Sequence, residues 1–212
     1  MADGGKRLER MRATLRREAS VLEELAADLD ETTGAAVDVL LETRGHVLVG
    51  GAGTSSAIAC RFAHLLSCCG VPALFLDPAQ AVHGGAGAVR HGDTVVLVSR
   101  QGQSSEVNTF AAIARQLGAS VIAMTAEPES ELGKLADAII RVRIRAGSDP
   151  FDMIATSSSL ANGAAGDAIC ETVLFERKYT RESFAATHPA GGVGERIRRE
   201  RLAVAEDSHA NR

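Results

Sequence analysis

Two loops of one design, about fifty residues apart, hold most of the residues that could do chemistry in this 212-residue chain. The first is Gly50-Gly51-Ala52-Gly53-Thr54-Ser55-Ser56, and the second is Ser99-Arg100-Gln101-Gly102-Gln103-Ser104-Ser105-Glu106. Each follows a short apolar, β-branched run and opens a helical stretch. Such a turn aims backbone N–H groups, hydroxyls and the positive end of a helix at one point, which is what an oxyanion requires. Two of them in one sheet predict a pocket for a small anionic ligand. The candidate binding residues are Gly51, Gly53, Thr54 and Ser55 from the first loop, and Ser99, Arg100, Gln101, Ser104 and Ser105 from the second. A third hydroxyl cluster, Thr156-Ser157-Ser158-Ser159, either caps a long helix or faces the same pocket, with Thr156 as its candidate. Helix capping alone is the competing explanation for all these hydroxyls, because Ser and Thr favour N-caps. A dinucleotide site is the other alternative, since Gly51-Ala52-Gly53 follows a strand and Asp77 ends the next one. The third glycine position of that motif is Ser56, however, and the second loop has no role in it.

The elements that must position these loops alternate along the chain. Apolar spacing predicts helices over Arg7–Asp30 and Thr32–Glu42, the second ended by Gly45. Strands are expected at His46–Val49, Ala73–Leu76, Thr94–Val98, Val121–Thr125 and Ala138–Val142, with helices at Ser55–Cys69, Ser105–Leu117, Ser130–Leu135 and Asp152–Arg177. The strands are short apolar runs without alternation, as a parallel sheet covered on both faces requires. The fold class is therefore α/β, doubly wound, with a mainly parallel sheet flanked by helices. We divide the chain into an N-terminal helical extension (1–43), one α/β domain (44–202) and a polar, frayed tail (203–212).

Composition narrows the function classes. A net charge of -4 argues against a nucleic-acid binder, and the basic stretches Lys6–Arg17 and Arg196–Arg201 are interleaved with Glu on helical patterns, as solvated faces are. Cys60, Cys68, Cys69 and Cys170 lack metal-ligand spacing and read as buried, reduced thiols. No apolar run approaches membrane-spanning length and no signal core opens the chain, so a cytoplasmic protein without membrane partners is expected.

Three segments carry a family resemblance: Leu76-Asp77-Pro78-Ala79-Gln80-Ala81-Val82-His83-Gly84, the second anion loop through Glu106, and Phe184-Ala185-Ala186-Thr187-His188-Pro189-Ala190-Gly191-Gly192-Val193-Gly194. They resemble the SIS (sugar isomerase) domain family over about Arg44 to Ile197, most closely the SIS domain of bacterial arabinose 5-phosphate isomerases. The resemblance implies a five-stranded parallel sheet and interconversion of an aldose and a ketose. It also implies a homo-oligomer, commonly a tetramer, in which the C-terminal histidine reaches a neighbour's site. Four positions depart from that branch: Thr54 stands where it has lysine, Arg100-Gln101-Gly102 where it has x-Ser-Gly, Gln80 for a glutamate, and Gly147 or Ser148 for another glutamate. The sequence also ends where the larger isomerases continue into paired CBS domains.

Aldose–ketose isomerisation moves a proton between C1 and C2 through a cis-enediol, and needs a tuned base near carbon and a donor near oxygen. No metal or organic cofactor is expected. Glu106 matches the family's Ser-Ser-Glu and is the carboxylate candidate, although a glutamate in a first helical turn also complements the helix dipole. His83 and His188 lie in glycine-rich loops that match the family, and histidine can act in either protonation state near neutrality. His46, His64, His91 and His209 are read as structural or exposed, and Asp149 or Asp152 could replace the missing glutamate. The expected function is an isomerase of an anionic sugar, usually a sugar phosphate. Loss of the lysine and gain of the planar Arg100 guanidinium would suit the sulfonate of a sulfosugar such as sulfoquinovose. The alternative is a non-catalytic SIS-domain regulator that binds sugar phosphate.

Overall fold

Helix α1 (Asp3–Asp28) leads into α2 (Glu31–Glu42), where the Asp30 side chain accepts a hydrogen bond from the Thr32 amide at 3.0 Å and caps the second helix. The computed structural model describes residues 3–210, with side chains over 4–200. Five strands follow: β1 (Val47–Gly51), β2 (Ala73–Phe75), β3 (Thr94–Val98), β4 (Ser120–Thr125) and β5 (Ala138–Arg141). All pair in parallel, in the order β2-β1-β3-β4-β5.

That order gives the sheet a switch point. The chain leaves β1 toward β2 on one side, then returns to place β3 on the other. Ligands in doubly wound sheets bind in the crevice such a reversal opens at the strands' carboxyl ends. Here Val47 pairs with Thr94 and Gly51 with Val98, so both predicted anion loops leave the sheet at one level.

Burial on both faces explains the apolar strand sequences. Val47, Val49, Val96, Val98, Ile122, Met124 and Ile140 meet α1, α2, α3 (Thr54–Cys68) and α7 (Ser157–Glu176). The intervening Leu48, Val95, Leu97, Val121 and Ala123 meet α4 (Pro78–Val82), α5 (Ser105–Gln116) and α6 (Glu131–Leu135). Phe62 of α3 and Phe110 of α5 are the largest fully buried side chains of the two layers. Truncating either to alanine removes roughly 3–5 kcal/mol.

Three features differ from the sequence expectations. The long helix begins at Ser157 rather than Asp152, because Phe151 and Asp152 hold φ of 56° and 53°, in the left-handed region where no right-handed helix runs. After α7 come α8 (Arg181–Thr187) and α9 (Gly191–Ala210), so the backbone is helical as far as Ala210, into the segment expected to fray. The side chains of 201–212, His209 among them, lie outside those described, as do residues 211 and 212 altogether. Finally, Cys60 is exposed and Cys68 half-buried; only Cys69 and Cys170 are buried thiols, and burial pushes the pKa of both up. Among the described residues no helix is long and apolar enough to cross a membrane.

Candidate active site

The two loops converge on one cleft of about 400 Å³ at the switch point. Ser55 enters it from the start of α3, and Ser99, Arg100, Gln101 and Ser104 from the loop before α5. Gly51 is the buried hinge of the first loop. A Cβ there would sit 2.8 Å from the Ser55 carbonyl oxygen and 3.1 Å from that of Val98, so only glycine lets the loop fold back between the strands.

The second loop is fixed from several directions. The Ser99 amide donates to the Met124 carbonyl, and the Arg100 carbonyl accepts from the Thr125 hydroxyl (3.0 Å) and the Ala126 amide (2.9 Å). The Gly102 carbonyl accepts from the Leu132 amide and from Asn108 Nδ2, and Gly102 itself adopts φ +62°. Ser104 is the N-cap of α5, yet its side chain makes no capping hydrogen bond. Its hydroxyl therefore stays available to a ligand at a helix N-terminus, where the dipole favours negative charge.

A third segment completes the rim. Residues 147–156, which follow β5, bring Met153 and Ala155 into the cleft. Asp149 anchors them: its buried carboxylate accepts from the Thr156 amide (3.1 Å), the Ser158 amide (3.0 Å) and the Ser158 hydroxyl (2.6 Å), and pairs with Arg100 Nη1 at 3.0 Å. Burial alone would raise the Asp149 pKa, but the Ser158 hydrogen bonds and the Arg100 charge outweigh it and hold the carboxyl below its usual range. Asp149 is thus engaged by three hydrogen-bond donors from its own loop and helix and by the Arg100 guanidinium. Asp152 is exposed and accepts from the Gly147 amide.

Of the remaining predicted residues, Gly53 and Thr54 are exposed beside the cleft, and Ser105 donates to the Glu106 carboxylate at 3.3 Å in the first turn of α5. Thr156 lines a different cavity of about 620 Å³ between α1, α3 and α7, with its Oγ1 buried and unpartnered. Ser157 and Ser158 turn inward, where their hydroxyls donate to the Ser148 carbonyl and the Asp149 carboxylate. Thr156, the N-cap of α7, makes no side-chain capping hydrogen bond, and Asp149 takes the amides at the start of that helix instead. His83 is exposed at the C-terminus of α4, outside the cleft. His188 lies further away. Its ring stacks on Phe184 at 3.7 Å, and its Nε2 is 3.4 Å from the Cys68 sulfur at the far end of α3. The thirteen-residue step from Ser55 to Cys68 spans about 20 Å of helix. Among the described residues no group of three His, Cys, Asp or Glu could hold a metal ion.

Gln103, Met153 and Ala155 also line the cleft and were not singled out in sequence. Gln103 lay within the second loop, whereas Met153 and Ala155 fell in the segment expected to be helical.

Known proteins share this fold. The SIS domain family matches residues 40–171. The arabinose 5-phosphate isomerase KdsD of Pseudomonas aeruginosa is 32% identical over 184 residues, covering 87% of this chain and 56% of that protein. The arabinose 5-phosphate isomerase KpsF of Escherichia coli is 29% identical over 188 residues, covering 88% and 58%. This chain therefore spans little more than half the length of these relatives. Escherichia coli CFT073 c3406, solved in complex with arabinose 5-phosphate, superposes with a TM-score of 0.83 at 25% identity, covering 87% of this chain and 98% of that one.

Proposed function

This chain belongs to the SIS domain family, and from that premise we propose that it is an aldose–ketose isomerase of an anionic sugar, in the first instance a sugar phosphate. One observation carries the reading: two strand-to-helix loops, level in register at the switch point, bring Ser55, Ser99, Arg100 and Ser104 to one cleft. The headgroup sits against the N-termini of α3 and α5, which holds C1 and C2 toward the rim. Glu106, in the first turn of α5, moves the proton between those carbons through a cis-enediol, and His83 and His188 serve the oxygens. No cofactor or metal enters this scheme.

A neighbouring subunit supplies His188. It lies about 20 Å along α3 from its own chain's Ser55, a distance no side-chain rotation closes. Exposed apolar residues favour association: Leu8, Met11 and Leu15 along one face of α1, and Phe151 (82% exposed) and Met153 beside the cleft. We read the assembly as a homo-oligomer, a tetramer in the finer reading, and its compartment as the cytoplasm. A sulfonate headgroup is the second reading, favoured by the forked Arg100 guanidinium in the cleft and by exposed Thr54.

Subunit mixing tests the scheme. Glu106→Ala and His188→Ala homo-oligomers are each expected to lose turnover of sugar phosphates, arabinose 5-phosphate among them. Mixed oligomers are expected to regain it in proportion to the hybrid fraction. Exchange verified by mass without regained activity would place the chemistry within one chain. Binding of sugar phosphate with no turnover by the unaltered protein would instead identify a sensor.

A further inference from the structure

We propose that Asp149 is a positioning residue that fixes the Arg100 guanidinium over the anion cleft, and that Arg100 held in this way sets the affinity for the substrate's anionic headgroup. The inference rests on the sugar-anion reading above and assigns to that site a buried residue that does not touch the substrate.

Arg100 is held at both ends. Its carbonyl is fixed by Thr125 and Ala126 at the end of β4, and its Nη1 by Asp149, 3.0 Å away. Between those points the side chain crosses the cleft wall, and its Nε and Nη2 have no partner among the described residues. An arginine on a loop ordinarily surrenders rotamer freedom when it grips a ligand, and here that cost is met before the ligand arrives. The free edge of the fork, with two parallel donors, matches two oxygens of a phosphate or a sulfonate.

Asp149 is suited to this task because it does not depend on Arg100. Its side chain is fully buried, and the Ser158 hydroxyl and the Ser158 and Thr156 amides satisfy it from inside the protein. Arg100, at 37% side-chain exposure, faces solvent on its other side. A carboxylate this close also repels an incoming anion. Three inward donors draw its charge away from the cleft, and the guanidinium stands between it and the ligand, so orientation outweighs repulsion. Thr54 places no ammonium at the first loop, and Arg100 is the cationic side chain among the residues that line the cleft.

Calorimetric titration of the full chain with inorganic phosphate and with arabinose 5-phosphate tests this. Asp149→Asn, close in shape but uncharged, is expected to weaken both by about tenfold, and Arg100→Ala by at least as much. The double variant should bind no worse than Arg100→Ala, because Asp149 acts only through Arg100. Arg100→Lys should recover part of the loss, and where a variant turns over substrate the change should fall on KM rather than kcat. Losses that multiply in the double variant would make Asp149 a support of the 147–156 loop and overturn the proposal. Unchanged or tighter binding by Asp149→Asn would do the same. If Asp149→Asn fails to fold, Ser158→Ala takes its place: it leaves both charges and removes one clamp, with a roughly two- to threefold loss expected and wild-type affinity overturning the proposal. Failure of the unaltered protein to bind either probe would remove the anion-site reading itself, an outcome distinct from all of these.

Discussion

The two anion loops share a design and differ in how they are held. The first, between β1 and α3, is closed by the Ser55 amide on Ala52 and the Ser56 amide on Gly53, and its tip at Gly53 and Thr54 is exposed. The second, between β3 and α5, is tied to the end of β4, to Asn108 of α5, to Leu132 of α6 and, through Arg100, to the loop after β5. Donors that need not reorganise on binding contribute most to recognition of charge. The second loop is accordingly the fixed half of the cleft and the first the adaptable half. Thr54, where the family resemblance leads one to expect a lysine, falls in the adaptable half.

Glycine substitutions give the largest separation between the halves. Gly53 and Gly102 both hold positive φ, which costs a side chain about 1–3 kcal/mol. At Gly53 an added Cβ meets nothing within 4 Å. At Gly102 it would meet Ser130 Oγ at 2.0 Å and Leu132 Cβ at 3.3 Å, an overpacking that adds roughly 1–3 kcal/mol more. Chemical denaturation should therefore rank Gly102→Ala well below Gly53→Ala. Equal losses would erase the distinction between the loops.

Hydroxyl deletions sharpen the comparison on the binding axis. Ser104→Ala removes a donor to a charged group from the fixed loop and should weaken phosphate binding by roughly 1.5–3 kcal/mol. Ser55→Ala, on the looser loop, should cost less by calorimetry, about 0.5–1.5 kcal/mol as for an ordinary hydrogen bond. A larger effect at Ser55 would invert the assignment of fixed and adaptable halves. If neither variant changes affinity, these hydroxyls do not hold the anion and the anion-site reading of the two loops fails.

Acid provides the mildest test. Asp149 has a folded-state pKa below its unfolded value, so the stability it contributes is present above the ordinary carboxylate range near pH 4 and fades as pH falls through the depressed folded value. Unfolding free energies collected between neutrality and about pH 3 should fall less steeply at the acid end in Asp149→Asn than in the unaltered chain. Parallel curves would mean that the Ser158 and Arg100 contacts bring the carboxylate no net gain.

The loops themselves were legible because glycine, hydroxyls and strand-to-helix order are local properties, and the register of β1 against β3 follows from the parallel sheet. The Asp149 clamp was not. It joins Arg100 to a residue 49 positions later, and nothing in either segment marks the partner. Residues 152–156 read as helix by apolar spacing, whereas the left-handed pair Phe151 and Asp152 delays its start to Ser157. His188 was legible as a chemically apt residue, yet its seat beside Cys68 depends on the path of the chain through Tyr179 and α8, which packing decides.

The length of α3 carries a consequence for how the protein would behave at low concentration. With one helix holding Ser55 at one end and the docked His188 at the other, a chain that borrows its neighbour's histidine has no complete cleft when alone. Specific activity then becomes a function of concentration: dilution past the dissociation constant of the assembly should reduce turnover per chain, while inorganic phosphate, which meets only the chain's own cleft, should bind as before.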